Sequence, residues 1–322
     1  MRRSSPPVAL AVFAVVGLLA GAAPSAPPSL RFEVFSQTGI PLADIVWTGK
    51  QFLLVRNTET VLTSMDTSGR VGPVFARLPR IVEETRCVAS PGAHGFPAGA
   101  VYCHTPDNTI YRLSADGSSI GVLAKLPDTS TSDGALTVDT VGNFGHGLVA
   151  ATGRSGAATP AGGTVYVVSA AGRVRRIGTY SGPGGADQVA MAPRRFGTAG
   201  GYALLTVDAG STGTLVGMSP DGRTRLIARF NDGPNPITSL VPSGPRRGAA
   251  RRGFYVTDTH TQNVFFAAGS QLAPYAGKVL VGSEPHGRFW VVEPAGKRFR
   301  TMLLQTNLEN ATYNLEGAKY IA

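Results

Sequence analysis

Short apolar runs alternate with small polar clusters along most of the chain, and the same phrase recurs. Leu62–Arg70 (LTSMDTSGR), Tyr111–Gly117 (YRLSADG), Tyr166–Arg173 (YVVSAAGR), Val216–Arg223 (VGMSPDGR) and Trp290–Arg298 (WVVEPAGKR) share one pattern. An apolar strand runs into a polar turn ending in Gly, and a second apolar stretch follows. The pattern predicts a β-hairpin with Gly at the positive-φ turn position. Val264–Gln271 (VFFAAGSQ) is a weaker copy. The turn glycines are Gly69, Gly117, Gly172, Gly222, Gly269 and Gly296, with spacings of 48, 55, 50, 47 and 27. A period of roughly 40–50 residues built from strands is the mark of a β-propeller, one blade per period.

A second set of strands opens on an acid or its amide. These are Asp44 (DIVW), Glu84 (ETRCVAS), Asp133 (DGALTVD), Asp187 (DQVAMAP), Asn235 before PITSLV, and Glu316 (EGAKYIA). They are read as the innermost strands. The expected fold is an all-β, six-bladed propeller, with five or seven blades as alternatives. The C-terminal strand closes the ring as the inner strand of the last blade. Arg31–Ser36 is expected to add an outer strand.

Composition narrows the class. The chain has 322 residues with Gly 41, Pro 23, 16% charged and 43% hydrophobic residues. So many helix breakers exclude a helical bundle, and the apolar content excludes a disordered chain. Arg2 and Arg3, the apolar run Val8–Ala20 and the small residues after it read as a signal peptide at 1–22, cut after Ala22. An uncleaved membrane anchor is the alternative. A Pro-rich linker (23–30) and the propeller domain (31–322) follow. No second long apolar stretch appears, so no transmembrane segment is expected after cleavage. The expected location is secreted, or periplasmic and cell-envelope, as a monomer.

Losing Arg2 and Arg3 takes the formal net charge from +10 to +8. Arg246, Arg247, Arg251 and Arg252 cluster in a Gly/Pro loop. They are a candidate anion-binding loop for an envelope polymer or lipid head group, or simply a solvated one. No basic-plus-aromatic pattern points to nucleic acid. Export permits a disulfide. If Thr85–Ser90 and Ala100–Thr105 pair around a turn near Gly95, Cys87 and Cys103 face each other across the hairpin. The five histidines show no metal-ligand spacing, and Asn310 opens a glycosylation sequon.

Tyr255–Val264 (YVTDTHTQNV) resembles the NHL-type propeller repeat through Val256, Asp258, Asn263 and Val264. The blades also resemble senescence-marker/gluconolactonase and strictosidine synthase-like propellers. The gluconolactonase resemblance implies a divalent metal at the channel mouth, held by Glu84, Asp133, Asp187 and Glu316, with Asp44 in the same ring. Crowded carboxylates at one opening repel, and a hard cation such as calcium relieves this. Alternatively, each acid bonds backbone N–H groups of its own loop. Two function classes follow. One is an exported binding or scaffold protein for a small molecule, envelope polymer or protein. The other is a calcium-dependent hydrolase of lactonase or esterase type at the channel mouth.

Overall fold

The computed structural model describes residues 28–79, 84–128, 134–153, 162–182, 184–240, 250–309 and 312–322. The signal peptide, Arg246, Arg247, Asp133 and Asn310 lie outside them. Six antiparallel sheets form the blades of a propeller. Blade 1 is Leu42–Trp47, Phe52–Arg56, Val61–Met65 and Val71–Arg77, from the inside outward. Blade 2 is Arg86–Ala89, Val101–His104, Thr109–Leu113 and Ile120–Lys125. Blade 3 is Ala135–Val138, Leu148–Ala151, Gly162–Val168 and Val174–Ser181. Blade 4 is Ala186–Met191, Ala203–Asp208, Gly213–Met218 and Thr224–Phe230.

The last two blades are interlaced. Blade 5 starts with Pro234–Ser239, but its next strand is Val279–Ser283, followed by Phe289–Ala295 and Arg298–Thr306. Ser29–Leu30 adds a parallel edge, with Ser29 opposite Gln305. Between those strands the chain crosses to blade 6 and lays down Gly253–Asp258 and Asn263–Ala268. Leu315–Ile321 supplies the inner strand of blade 6, and Glu33–Gln37 its outer strand. The C-terminal strand therefore closes the ring, packing on the inner strands of blades 5 and 1. Its blade is not the one containing the Gly296 hairpin. This crossing explains the short 27-residue spacing. It also explains why Gly269 is not a hairpin glycine: the chain turns there into a short helix, Gly269–Leu272, because the outer strand arrives from the N-terminus.

Packing follows the same sixfold logic. Among the described residues six apolar clusters are buried, one at each junction between neighbouring blades. The inner three strands are covered on both faces, so they read as nearly continuous apolar runs. Outer strands such as Val71–Arg77 are largely exposed, and they carry the exposed large apolar residues Val34, Val74, Val122, Val174, Leu226 and Leu303. The turn glycine is required twice over. Gly117 has φ 75°, and a Cβ there would sit 2.2 Å from the Phe75 carbonyl on the outer strand of blade 1. Gly172 repeats this against Leu123 of blade 2, at 2.3 Å. The glycine thus serves the hairpin and also lets neighbouring blades approach.

Cys87 pairs with Cys103 in register and forms a disulfide with a Cα–Cα distance of 4.1 Å. It is buried in the cluster between blades 1 and 2. The sequence separation is 16, and closing a loop of that size stabilises by ~3 kcal/mol in the chain-entropy model. The Cys87→Ala/Cys103→Ala variant is expected to lose stability of this order in urea denaturation. A variant as stable as wild type would mean the bridge restrains the unfolded chain little. Among the described residues, no helix is long and apolar enough to cross a membrane.

Candidate functional site

In four blades the register between the inner and second strands shifts at the start of the inner strand. The shift falls between Leu42 and Asp44, Ala186 and Gln188, Pro234 and Ile237, and Val256 and Asp258 of the partner strand to Leu315–Ile321. Such bulges re-aim side chains at barrel rims and near sites. Here Asp187, Asn235 and Glu316 fall within the irregular stretches.

Arg86 opens the inner strand of blade 2 and is 2% exposed. Its Nε donates to the Asp187 carbonyl at 3.3 Å, and one terminal nitrogen donates to the Ala43 carbonyl. The other donates to Glu316 Oε2 at 2.7 Å. One guanidinium therefore ties together the inner strands of blades 1, 2, 4 and 6 and plugs the channel. Burial opposes its charge, but Glu316, Glu84 and Asp44 more than offset this, holding Arg86 protonated. Gln188 adds a second tie, donating to the Glu316 carbonyl and accepting from the Ile237 amide at 3.1 Å.

The acids named from sequence have different surroundings. Glu316 is 1% exposed. It accepts from Arg86, from Asn235 Nδ2 at 3.2 Å and from Asn314 Nδ2 at 3.0 Å. Asp44 accepts the Ile45 amide at 2.8 Å and the Cys87 amide at 2.7 Å. Burial pushes its carboxyl up to about 6 against the field of Arg86. Glu84 is half-buried at φ 53°, and its carbonyl accepts from the Gly134 amide. It contributes to the field around Arg86. Arg251 pairs with Glu33 and lies over the Phe266 ring, a docked position rather than a free loop cation.

Asp187 has a different company from the one the sequence suggested. Asp187, Asp208 and Glu284 each place an oxygen within 4.8 Å of the others. Two oxygens at about 2.4 Å from a shared calcium lie at most about 4.8 Å apart, so this spacing suits a hard cation. Asp208 ends the second strand of blade 4, and Glu284 follows the second strand of blade 5. Antiparallel pairing brings those ends to the same rim as the inner-strand starts. The signal was therefore present: an acid closing an apolar run in LLTVD and VLVGSE. Asn235 lies next to the cluster. It is 1% exposed, and its Oδ1 has no hydrogen-bond partner among the described residues.

Glu284 reports the crowding. Burial first, then the Glu316 and Asp208 charges, push it up to about 8, while Arg86 pulls it down. The folded protein thus holds a proton that the unfolded chain releases near 4.5. Stability associated with Glu284 is full below that value and is lost as pH rises through about 8. The Glu284→Gln variant is therefore expected to lose less stability than wild type between pH 5 and 8. Parallel pH profiles of Tm for the two proteins would refute the assignment.

Fold and site define a six-bladed propeller whose channel is plugged by a buried arginine and flanked at its rim by clustered carboxylates. No family model matches the chain, and no curated protein matches it. Several solved structures are similar to it. A streptogramin B lyase is 13% identical over 86% of this chain and 88% of that one, with a TM-score of 0.43. A calcium-binding regucalcin from Agrobacterium tumefaciens is 12% identical over 87% and 80%, with a TM-score of 0.47. TolB from Acinetobacter baumannii is 12% identical over 87% and 57%, with a TM-score of 0.45. Likeness at this level concerns architecture and says nothing about the site.

Proposed function

We propose that the protein is an exported binding protein whose channel rim takes up a divalent cation. The observation that carries this reading is the convergence of Asp187, Asp208 and Glu284 beside the buried Asn235 oxygen. All the groups are oxygen donors, which suits calcium and disfavours soft metals. Carboxylates crowded this closely cost free energy unless they share a proton or a cation, and the raised Glu284 pKa reflects the first solution.

Calorimetric titration with calcium tests the proposal. Wild-type protein is expected to bind, and Asp208→Asn to bind about a hundredfold more weakly. Near pH 7 the cation must displace the Glu284 proton, so about one proton leaves per ion bound. The measured heat should then vary with the ionisation enthalpy of the buffer. Absence of heat with calcium, magnesium, manganese and zinc would end the cation reading and leave a plain binding protein.

One observation favours a hydrolase of lactonase or esterase type as the second reading. His286 lies two residues beyond Glu284, with its Nδ1 2.9 Å from Asp232 Oδ1. The Asp232 side chain is 2% exposed, whereas that of His286 is 54% exposed. A buried carboxylate that orients an imidazole leaves the other ring nitrogen available to take up a proton. A cation bound nearby would supply Lewis-acid polarisation of an ester carbonyl. Calcium-dependent turnover in a lactone and ester panel, lost in His286→Gln, would select this reading. No turnover in the panel would reject it.

A further inference from the structure

Beyond the Arg86 plug, the inner strands enclose a second space. A cavity of about 280 Å³ starts at Asp44, Arg86 and Gln188 and runs along the strands toward Met191, Ser239 and Tyr320. It shares none of the three rim carboxylates. Val88, Val138, Val189 and Ile237 give it an aliphatic wall drawn from blades 2 to 5. Into this wall blade 6 projects Lys319, whose backbone pairs with Tyr255.

Lys319 is half-buried and, among the described residues, makes no ion pair or side-chain hydrogen bond. Burial pulls its ammonium below the usual lysine range, and Asp44 partly restores it. Asp44 accepts backbone amides on both oxygens and makes no hydrogen bond or ion pair with Lys319 among the described residues. Arg86 is also the stronger cationic influence on Asp44. An ammonium facing aliphatic walls is costly unless an anion joins it. Thr137 and Thr238 line the same cavity from blades 3 and 5, and a hydroxyl can donate to a second anionic oxygen.

We propose that this cavity is a binding site for a small organic carboxylate, with its charge on Lys319 and its apolar body against the valine wall. The volume lies near the lower end of the roughly 300–1,000 Å³ of ligand pockets, so the ligand is small. The site is independent of the cation at the rim.

Benzoate is a suitable probe, with benzamide as its uncharged counterpart. Calorimetry on the wild-type protein is expected to show benzoate binding at least about tenfold more tightly than benzamide, as a charge-assisted contact requires. The chain has only Lys50, Lys125, Lys278, Lys297 and Lys319, so amine acylation can be mapped completely by mass spectrometry. Benzoate should protect Lys319 and leave the other four unchanged. Lys319→Met should lower benzoate affinity about tenfold and leave benzamide unaffected. Chelation of divalent ions should change none of this, which separates the result from the rim reading. Equal binding of benzoate and benzamide, no protection of Lys319, or no benzoate heat at about 10 mM would each overturn the proposal. The first two comparisons use wild-type protein and need no variant to fold.

Discussion

Chain termination before Leu315 is expected to abolish cooperative folding. Leu315–Ile321 is the inner strand of blade 6, and every other described strand is already paired in a blade. Its loss leaves Gly253–Asp258 as an unpaired edge facing the channel, and exposed edges recruit other chains. It also removes Leu315, which is fully buried in the cluster between blades 5 and 6. Glu316, the ion partner of Arg86, goes with it. A broad or absent thermal transition and aggregation on size exclusion are the expected readouts. A finer variant tests the same closure. A Cβ on Gly317 would lie 2.3 Å from Asp44 Cα, so the last strand docks against blade 1 only as glycine. Gly317→Ala should destabilise clearly, because the added Cβ would also lie 2.6 Å from Asp44 Oδ1 and 2.8 Å from the Ile45 amide nitrogen. A truncated chain that melts sharply at the wild-type Tm would show that the ring closes without its end.

Replacing Arg86 with Met is expected to cost about 3–5 kcal/mol, the range for removing one partner of a buried ion pair. The Arg86 and Glu316 side chains are 3% and 1% exposed. Without the guanidinium, Glu316 keeps the amide donors of Asn235 and Asn314 but loses its cationic partner. The carbonyls of Ala43 and Asp187 lose a donor as well. Adding Glu316→Gln removes the stranded charge, so the double variant should recover part of the loss. Urea denaturation of the two single variants and the double variant gives the coupling directly. Independent, additive effects would show that the pair does not hold the blades together.

Much of the architecture was legible because a propeller repeats. In blades 1 to 4 the outer hairpin needs the same glycine, for its φ and for the approach of the neighbouring outer strand, so Gly69, Gly117, Gly172 and Gly222 stand out by spacing alone. The Cys87–Cys103 pairing was legible because a hairpin's register follows from its turn. Gly269 misled for a definite reason. VFFAAGSQ has the hairpin phrase, but the fourth strand of its blade comes from Glu33–Gln37, far away in sequence.

The site was legible in part. Inner-strand starts point to the channel, where Asn235 and Arg86 both donate to Glu316 and Arg86 also reaches the Asp187 carbonyl. Spacing does not say which acids share a pocket. Glu316 is taken by Arg86, and Asp44 by two backbone amides. Asp187 instead meets Asp208 and Glu284, from the ends of second strands in two adjacent blades. Arg86 itself carries no sequence signal, being one arginine among many.

The chain's local pattern thus determined the strands, the turns, the blade period and the one disulfide. These depend on interactions between residues close in sequence, or on a repeat that reports the same geometry each time. Only the tertiary structure decided how the last two blades interlace, which carboxylates converge and which are neutralised. Those outcomes depend on bulges that re-aim single side chains and on ring closure between the two ends of the chain. The same closure sets Lys319 in the channel wall, a position its own sequence neighbourhood does not mark.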